Sequence, residues 1–344
     1  MNVLLLTSHA IAEHDDLDMF TRMGVPCYSI GGAYDAEPFE GKRPAIPGVT
    51  RYPELEEATE RQRAELSERL GDPGSSIDWA KANLAPAVLD WADTIIVHHF
   101  PERWIGDQWT RIRDKRVIWR TCGQSDPRLE RAMMRYRADG LQIVRYSPRE
   151  REVFSGLGSF AGEDVMIRFG KDPDEWSGWT GDLPFVGNIT QHMAQRGDAC
   201  GYPYWVRATG DLPTMPAGPG SEVLRGGVGP LEYDAMREYL RRIRAYLYTG
   251  TRPASYTLGL IEAAMTGVPV VVIGPGAFGC DGLLEPMGSD SGKRLDDPAE
   301  AARILRHYLD NDRDAQAASR LTRERFVHTF GLDVVMAAWR EFLA

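Results

Sequence analysis

An α/β fold of two domains is predicted from three features of the chain. Its 344 residues exceed what one hydrophobic core usually holds. Short runs of strand-forming residues alternate with helical patterns in both halves, which is typical of parallel sheets. Hydrophobic residues make up 43% of the composition and charged residues 26%, as in ordinary globular proteins.

In the N-terminal half, five short apolar runs are predicted to be strands. They lie at residues 3–7, 25–30, 94–98, 116–120 and 141–145. A long polar stretch, residues 33–80, separates the second run from the third and contains a helical pattern at 54–70. Residues 166–184 carry repeated glycine and proline, so we expect them to link the two domains.

Residues 245–273 give the most informative pattern in the chain. A strand at 245–248 is followed by a polar loop, a helical pattern that stops at Gly267, and a second strand at 270–273. Free N–H groups at the start of this helix can hold a diphosphate, together with residues 255–257. Glu262 lies one to two turns into the helix, within reach of a ribose. The alternative is an ordinary doubly wound unit in which Glu262 is a solvated helix residue.

The string IEAAMTGVPVVV at 261–272 resembles the donor motif of the family-4 glycosyltransferases, which have the two-domain GT-B fold. The resemblance implies that Glu262 binds the ribose of a nucleotide sugar and that the loop before the helix holds the diphosphate. The family's first glutamate, which lies near the sugar hydroxyls and the transferred carbon, falls at Ala254, so the resemblance does not specify the sugar or the catalytic details. The predicted donor-binding residues are therefore Gly187, Asn188, Ser255, Tyr256, Thr257 and Glu262, with Arg252 added for its position beside the diphosphate loop.

The resemblance extends over most of the C-terminal half. The run FVGN at 185–188 is similar to the first donor-domain strand and its phosphate-facing loop, and Asp297-Pro298 opens a helix of the expected kind. It implies two Rossmann-like domains that face a central cleft. The predicted organisation is an acceptor-side domain at 1–165, a linker at 166–184, a nucleotide-sugar domain at 185–320, and terminal helices at 321–344 that cross back onto the first domain.

Polar residues at the predicted strand ends of the first half are the acceptor-side candidates, because ligands of open parallel sheets bind there. His9 follows the first strand, and His98 and His99 end the third. A histidine at this third position resembles the one that family members use beside the donor sugar. Glu102 lies just beyond and can orient a histidine or bind a hydroxyl. The alternative is that these histidines pack under the next loop. Further acceptor-side candidates are Arg120, Gln124 and Ser125.

A departing diphosphate needs a cation, and helix N-termini and arginines supply positive charge without a metal. The candidates are Arg168, Lys171, Arg196, Arg207 and Arg252. We favour Arg196 and Lys171, which join His98, His99 and Glu102 as the predicted catalytic set. The D-x-D tripeptides at 16–18, 172–174 and 310–312 are interpreted as helix-start or turn acids. Retention is implied by the resemblance; inversion would need His9, His98, His99 or Glu102 as base.

Charge is distributed unevenly along the chain. The net charge is −10, yet residues 103–151 hold thirteen Lys and Arg against six Asp and Glu. Such a region indicates an anionic partner, and its aromatic residues suit nucleic acid. A glycosyltransferase that modifies hydroxylated bases of viral DNA is therefore one alternative. A solvated helix face at Arg128, Arg131 and Arg135 is another.

Together these patterns predict a glycosyltransferase that moves a sugar from a UDP-linked donor to an acceptor hydroxyl, without metal or tightly bound cofactor. An epimerase or a non-catalytic nucleotide-binding protein is the remaining alternative. The first aliphatic run is too short for a signal peptide, no segment reaches the length of a membrane span, and the four cysteines show no paired spacing. We therefore expect a cytoplasmic protein. The change Glu262→Ala is expected to abolish donor binding with the fold intact.

Overall fold

A computed structural model describes residues 1–7, 9–30, 43–70, 84–98, 101–123, 125–273 and 297–344. The chain divides into two compact units, Met1–Ile167 and Arg168–Ala344. His99, Gln124 and Cys280 lie outside the described residues.

Unit 1 contains a six-stranded parallel sheet in the order β2-β1-β3-β4-β5-β6. Its strands are β1 Val3–Leu6, β2 Cys27–Ser29, β3 Thr94–Val97, β4 Arg116–Arg120, β5 Gln142–Arg145 and β6 Val165–Met166. Its described helices are α1 Ala10–Arg22, α2 Pro53–Leu70, α3 Pro86–Trp91, α4 Pro101–Trp104, α5 Trp109–Ile112, α6 Pro127–Ala138 and α7 Pro148–Gly156. The five strands and the helix predicted for this half are confirmed to within two residues at each end.

Local sequence explains where these elements begin. The four residues of β1 are all fully buried, as the aliphatic run requires for a central parallel strand. Helix α6 begins after Asp126, whose carboxylate accepts the N–H groups of Arg128 and Leu129, and has proline at its first position. Helix α7 repeats the pattern with Ser147 and Pro148.

Unit 2 contains a four-stranded parallel sheet in the order β10-β9-β7-β8. Its strands are β7 Leu183–Asn188, β8 Thr214–Pro216, β9 Ile243–Tyr248 and β10 Val270–Val272. Its described helices are α8 Met193–Arg196, α9 Tyr202–Thr209, α10 Tyr233–Arg242, α11 Leu258–Thr266, α12 Pro298–Asp310, α13 Asp312–Phe330 and α14 Leu332–Leu343, with short 3-10 turns at Gly197–Cys200 and Ser221–Val223. The strand predicted at 245–248 begins two residues earlier.

The core of unit 2 lies between this sheet and flanking helices. Val186, Leu247 and Val271 of three neighbouring strands cluster with Trp205 of α9 and Ile304 of α12. Full burial of such a side chain stabilises the fold by about 1.5–3 kcal/mol. The predicted stop of α11 is present, since Gly267 adopts a left-handed φ of 101° after the last helical residue.

Helices α13 and α14 belong to unit 2. The Arg323 guanidinium on α13 donates to the carbonyl oxygens of Trp176 and Pro173 at 2.6 and 2.8 Å. The backbone of Lys171 bridges the end of α13, because its N–H donates to Phe330 O and its carbonyl accepts from Leu332 N, both at 2.9 Å. These contacts attach the terminal helices to the start of the unit. Packing of these helices on the first domain stays a prediction.

Gly187 in β7 has a packing role. A Cβ placed there would overlap the Tyr239 hydroxyl and lie 2.5 Å from Ile243 Cδ1. We expect Gly187→Ala to lower the free energy of unfolding by about 1–3 kcal/mol, because the added methyl forces the buried tyrosine to move. Urea unfolding measures the loss. Gly156→Ala is the matched control, since a Cβ there meets nothing within 4 Å; equal unfolding of both variants would contradict the packing role.

Candidate functional sites

The loops that follow β7 and β9 lie close to the start of α11 in unit 2. These two strands are parallel neighbours, so both loops leave the same edge of the sheet. A Cβ at Gly259 in α11 would lie 3.8 Å from the carbonyl oxygen of Ile189, directly after β7. The N–H of Arg252 donates to Ala199 O at 2.7 Å, which fixes the β9 loop against the turn that follows α8. Three segments of the predicted donor site are therefore brought together.

The first turn of α11 offers free backbone donors. Thr257 precedes the helix in extended conformation and makes no side-chain cap. The N–H groups of Leu260 and Ile261 donate to Thr257 O, whereas those of Leu258 and Gly259 have no acceptor among the described residues. A nine-residue helix with an uncapped start favours an anion there.

Two arginine side chains lie on the same loops. Arg196 ends α8 and is exposed, with its guanidinium 3.5 Å from Gln191 O. Arg252 is exposed on the β9 loop. Their positive charges add to that of the helix start.

Backbone N–H groups at the end of β7, where the sequence predicts a phosphate-facing loop, have partners within unit 2. The backbone N–H groups of Asn188 and Ile189 donate to the hydroxyls of Tyr239 and Tyr246 at 3.2 and 2.9 Å, so neither is open to a phosphate. The amide of Asn188 donates to Leu247 O at 2.7 Å, and its Oδ1 is buried with no partner in the described part of the chain. Gly187 makes room for Tyr239, and Asn188 contributes a buried acceptor.

Glu262 is buried in the second turn of α11 and is paired with Lys171. Its Oε1 lies 2.6 Å from Lys171 Nζ, and the two side chains are 4% and 3% exposed. The alternative of a solvated helix residue is therefore wrong. Lys171 was predicted as a cation for the diphosphate, but its ammonium is committed to Glu262 and lies 5.6 Å from the Trp176 ring. A buried charge needs such a partner.

The loop at 255–257 is held by packing. Tyr256 is buried, and its ring makes an edge contact with Phe330 at 5.3 Å between centroids. Ser255 is also buried, and Thr257 is half-buried at the helix start. Of two further predicted cations, Arg168 stacks over the Phe330 ring that Tyr256 contacts, and Arg207 is exposed on α9.

Unit 1 contains a pocket of about 330 Å³ at the carboxyl ends of β3 and β4. It is lined by His98, Pro101, Glu102, Trp119, Cys122, Ser125, Asp126, Arg128, Leu129 and Ala132. Three predicted residues, His98, Glu102 and Ser125, thus meet at one pocket. Glu102 is exposed and Ser125 is buried.

A buried ionic cluster lies beside this pocket. His98 Nε2 is 2.8 Å from Asp16 Oδ2, and the guanidinium of Arg120 contacts the other carboxylate oxygen. The side chains of His98 and Arg120 are fully buried, and Asp16 is 5% exposed. His98 is therefore a buried core residue paired with Asp16. Arg120, predicted on the acceptor side, is enclosed with it.

Asp16 is the site residue that the sequence interpretation missed. The sequence predicts a helix-start or turn acid at this position, but Asp16 lies in the middle of α1 and is buried. Burial is the largest influence and raises the pKa of Asp16, yet the charges of Arg120 and His98 and their hydrogen bonds outweigh it and hold the pKa below its ordinary value. The helical spacing of Asp16 from buried Ala12 and Phe20 was the available signal.

His9 has a structural role in α1. It is the N-cap residue of that helix, and its Nδ1 accepts the N–H of Ala12 at 3.2 Å. The residue itself is exposed. His9 lies shortly after β1, where the sequence predicts the end of the strand. Its ring contacts the start of α1.

The basic region at 103–151 is neutralised in part, because five of its arginines pair with carboxylates of unit 1 among the described residues. Buried Arg145 forms a two-point ion pair with Glu130, and Arg120 pairs with Asp16. Further pairs outside the core are Arg137 with Asp164, Arg149 with Glu152, and Arg151 with Glu163. Most of these carboxylates lie outside the segment in sequence. The excess of Lys and Arg over Asp and Glu in segment 103–151 is therefore larger than the net positive charge that this part of the protein presents.

Two parallel α/β units with ligand loops at the strand ends define the GT-B class of fold, as predicted. Solved structures similar to the chain include Anabaena HepE in complex with UDP-glucose, with a TM-score of 0.69, 13% identity, and coverage of 100% of this chain and 99% of that one. Sucrose-phosphate synthase from Thermosynechococcus elongatus is similar with a TM-score of 0.67, 13% identity, and coverage of 100% and 98%.

A third similar structure is the UDP-forming α,α-trehalose-phosphate synthase from Burkholderia xenovorans, with a TM-score of 0.59, 11% identity, and coverage of 99% and 98%. At these identities the likeness concerns the fold. No protein-family model and no curated protein matches the chain. Among the described residues, no helix is long and apolar enough to cross a membrane, and no group of three or more His, Cys, Asp or Glu forms a candidate metal site.

Proposed function

We propose that this chain is a glycosyltransferase that moves a sugar from a UDP-linked donor to an acceptor hydroxyl. The observation that carries the proposal is Glu262, a buried carboxylate one turn beyond a helix start that offers free N–H groups. A carboxylate at this depth suits the paired hydroxyls of a ribose, while the helix start suits the diphosphate. Both requirements of a nucleoside diphosphate meet on α11.

Positive charge for the departing diphosphate is assigned to the loops of unit 2. The free N–H groups of Leu258 and Gly259 and the exposed guanidiniums of Arg196 and Arg252 act together on the phosphate oxygens. Such groups stabilise charge that develops in the transition state and need no metal ion. Lys171 acts indirectly, because it holds the carboxylate of Glu262 in place.

The choice of UDP is supported by the names of two similar structures. HepE is in complex with UDP-glucose, and the trehalose-phosphate synthase is UDP-forming. Retention of the anomeric configuration is carried over from the family-4 resemblance. We assign the acceptor to the pocket of unit 1, where Glu102 and Ser125 offer oxygen atoms to its hydroxyls.

A thermal-shift panel of UDP, ADP, GDP and their glucose conjugates, with and without magnesium, tests the donor assignment. We expect UDP and UDP-glucose to raise the melting temperature equally with and without metal. Arg252→Ala is expected to weaken UDP binding about tenfold, because it removes one charge-assisted contact to the diphosphate. Arg207→Ala is the matched control, since Arg207 is also exposed but lies on α9 and on neither loop.

The outcomes separate the function classes. Transfer of the sugar to an added acceptor supports the proposal, and the anomeric proton of the product in NMR reports retention or inversion. Conversion of UDP-glucose into an isomer without acceptor would indicate an epimerase. UDP binding with neither reaction would indicate a non-catalytic protein. If Arg252→Ala and Arg207→Ala lose the same affinity for UDP, the assignment of the diphosphate to the loop that carries Arg252 is wrong.

A further inference from the structure

The pocket of unit 1 combines two kinds of polar group. Glu102, Ser125 and Asp126 present oxygen atoms, and Arg128 presents a cation. Asp126 Oδ1 accepts the N–H groups of Arg128 and Leu129 at 2.7 and 2.8 Å, so this carboxylate is fixed at the start of α6. Carboxylates and hydroxyls suit a polyhydroxylated ligand, whereas a guanidinium suits a phosphate or a carboxylate.

The cation in the pocket belongs to a row of arginines on α6. Arg128, Ala132 and Arg135 are spaced by four and three residues, so they lie along one face of the helix. Arg128 and Ala132 both line the pocket, so this face of α6 begins at the pocket and continues along the helix to Arg135. Arg131 is adjacent to the same face, and all three arginines are exposed.

These three arginines on α6 differ from several other arginines of the basic region because they have no carboxylate partner among the described residues. Arg137, Arg149 and Arg151 each pair with a carboxylate, whereas Arg128 and Arg131 have no carboxylate partner among the described residues. The guanidinium of Arg135 contacts the Tyr136 hydroxyl. Like charges three or four residues apart destabilise a helix. A row of this kind is favoured where an anion offsets the repulsion.

We infer that the acceptor is a small polyhydroxylated molecule with a phosphate group, which Arg128 binds at the pocket and Arg135 supports. This inference rests on the proposed function, because it assigns the acceptor of that reaction. The volume of about 330 Å³ lies at the lower end of the range for small-molecule sites. Glu102 and Asp126 accept hydrogen bonds from the hydroxyls of the acceptor. Arg128 donates two parallel hydrogen bonds to two oxygens of its phosphate.

Duplex DNA fits these observations less well. Two carboxylates line the pocket beside the arginine, the chain carries a net charge of −10, and five arginines of the basic region pair with carboxylates among the described residues. A DNA backbone would need an extended positive surface. The pocket itself is lined by one arginine, Arg128, which suits a single phosphate group.

Calorimetry with pairs of neutral and phosphorylated polyols tests the inference. The probes are glucose and glucose 6-phosphate, fructose and fructose 6-phosphate, and glycerol and glycerol 3-phosphate, with hydroxymethylated duplex DNA as a further arm. We expect at least one phosphorylated member to bind about tenfold more tightly than its neutral partner. Arg128→Gln is expected to abolish this preference. Arg113→Gln is the matched control, because Arg113 is also exposed in unit 1 but lies outside the pocket.

UDP binding to the same variants separates this inference from the donor assignment. If UDP fails to bind the wild type, the proposed function is wrong, while the phosphate preference is still measured directly. The acceptor inference is wrong if no phosphorylated probe binds more tightly than its neutral partner, or if the preference survives Arg128→Gln. Tighter binding of the duplex, lost on changing Arg131 and Arg135 but not Arg128, would also overturn it.

Discussion

Replacing Asp16 with asparagine is expected to lower the free energy of unfolding by about 3–5 kcal/mol. The change leaves the size of the side chain almost unaltered and removes its charge. Arg120 is fully buried and would then retain its positive charge without the carboxylate that it contacts, and His98 would lose the oxygen 2.8 Å from its Nε2. Denaturant unfolding followed by circular dichroism measures the loss.

Asp18→Asn is the control for this prediction. Asp18 lies two residues later on α1 and pairs with Arg22 at the surface, at 3.0 Å. Exposed pairs of this type contribute about 0.2–1 kcal/mol, so the control should be nearly neutral. If Asp16→Asn unfolds as easily as the control does, the buried cluster contributes little to stability.

The pH dependence of the free energy of unfolding provides a second test of the Asp16 prediction. The folded-state pKa of Asp16 is held below its ordinary value of 3.8. The stability that its charge contributes is therefore complete above pH 3.8 and is lost as the pH falls through the lower folded-state pKa. The difference in the free energy of unfolding between wild type and Asp16→Asn should stay constant near neutral pH and become smaller at acid pH. A difference that widens in acid would contradict the sign of the pKa shift.

The fold was predictable because its signals are local. Aliphatic runs such as 3–7, the Asp-Pro start at 297 and the glycine stop at 267 specify strands, a helix start and a helix end from neighbouring residues alone. The order of these elements along the chain then indicates two parallel sheets. Propensity and capping act over a few residues, so sequence reasoning recovers them.

The site was less predictable because charge pairing depends on distant contacts. Lys171 and Glu262 are 91 residues apart, and Arg120 and Asp16 are 104 residues apart. The sequence identified Glu262, Lys171 and Arg120 as polar residues in suitable places, but which partner each one finds is fixed only by tertiary packing. The same holds for the arginines of 103–151, several of which meet acids from outside that segment.

Glu262→Gln is expected to lower the affinity for UDP at least tenfold, because a neutral amide cannot accept from both ribose hydroxyls as the carboxylate does. The same change is also expected to destabilise unit 2. Lys171 is 3% exposed, and it would be left as a buried ammonium without a counter-charge. The sequence-based expectation of an intact fold in Glu262→Ala therefore needs correction, since Lys171 makes the two effects inseparable in a single substitution.

The double variant Glu262→Gln with Lys171→Met separates ribose binding from stability. Lys171→Met alone leaves a buried carboxylate and is expected to cost about 3–5 kcal/mol, whereas replacing both charges is expected to restore most of that loss. UDP affinity should stay low in the double variant. Wild type should also bind UDP more tightly than 2′-deoxy-UDP, and the double variant should not distinguish them. If UDP affinity returns together with stability, Glu262 serves only the buried pair, and the ribose must be bound elsewhere.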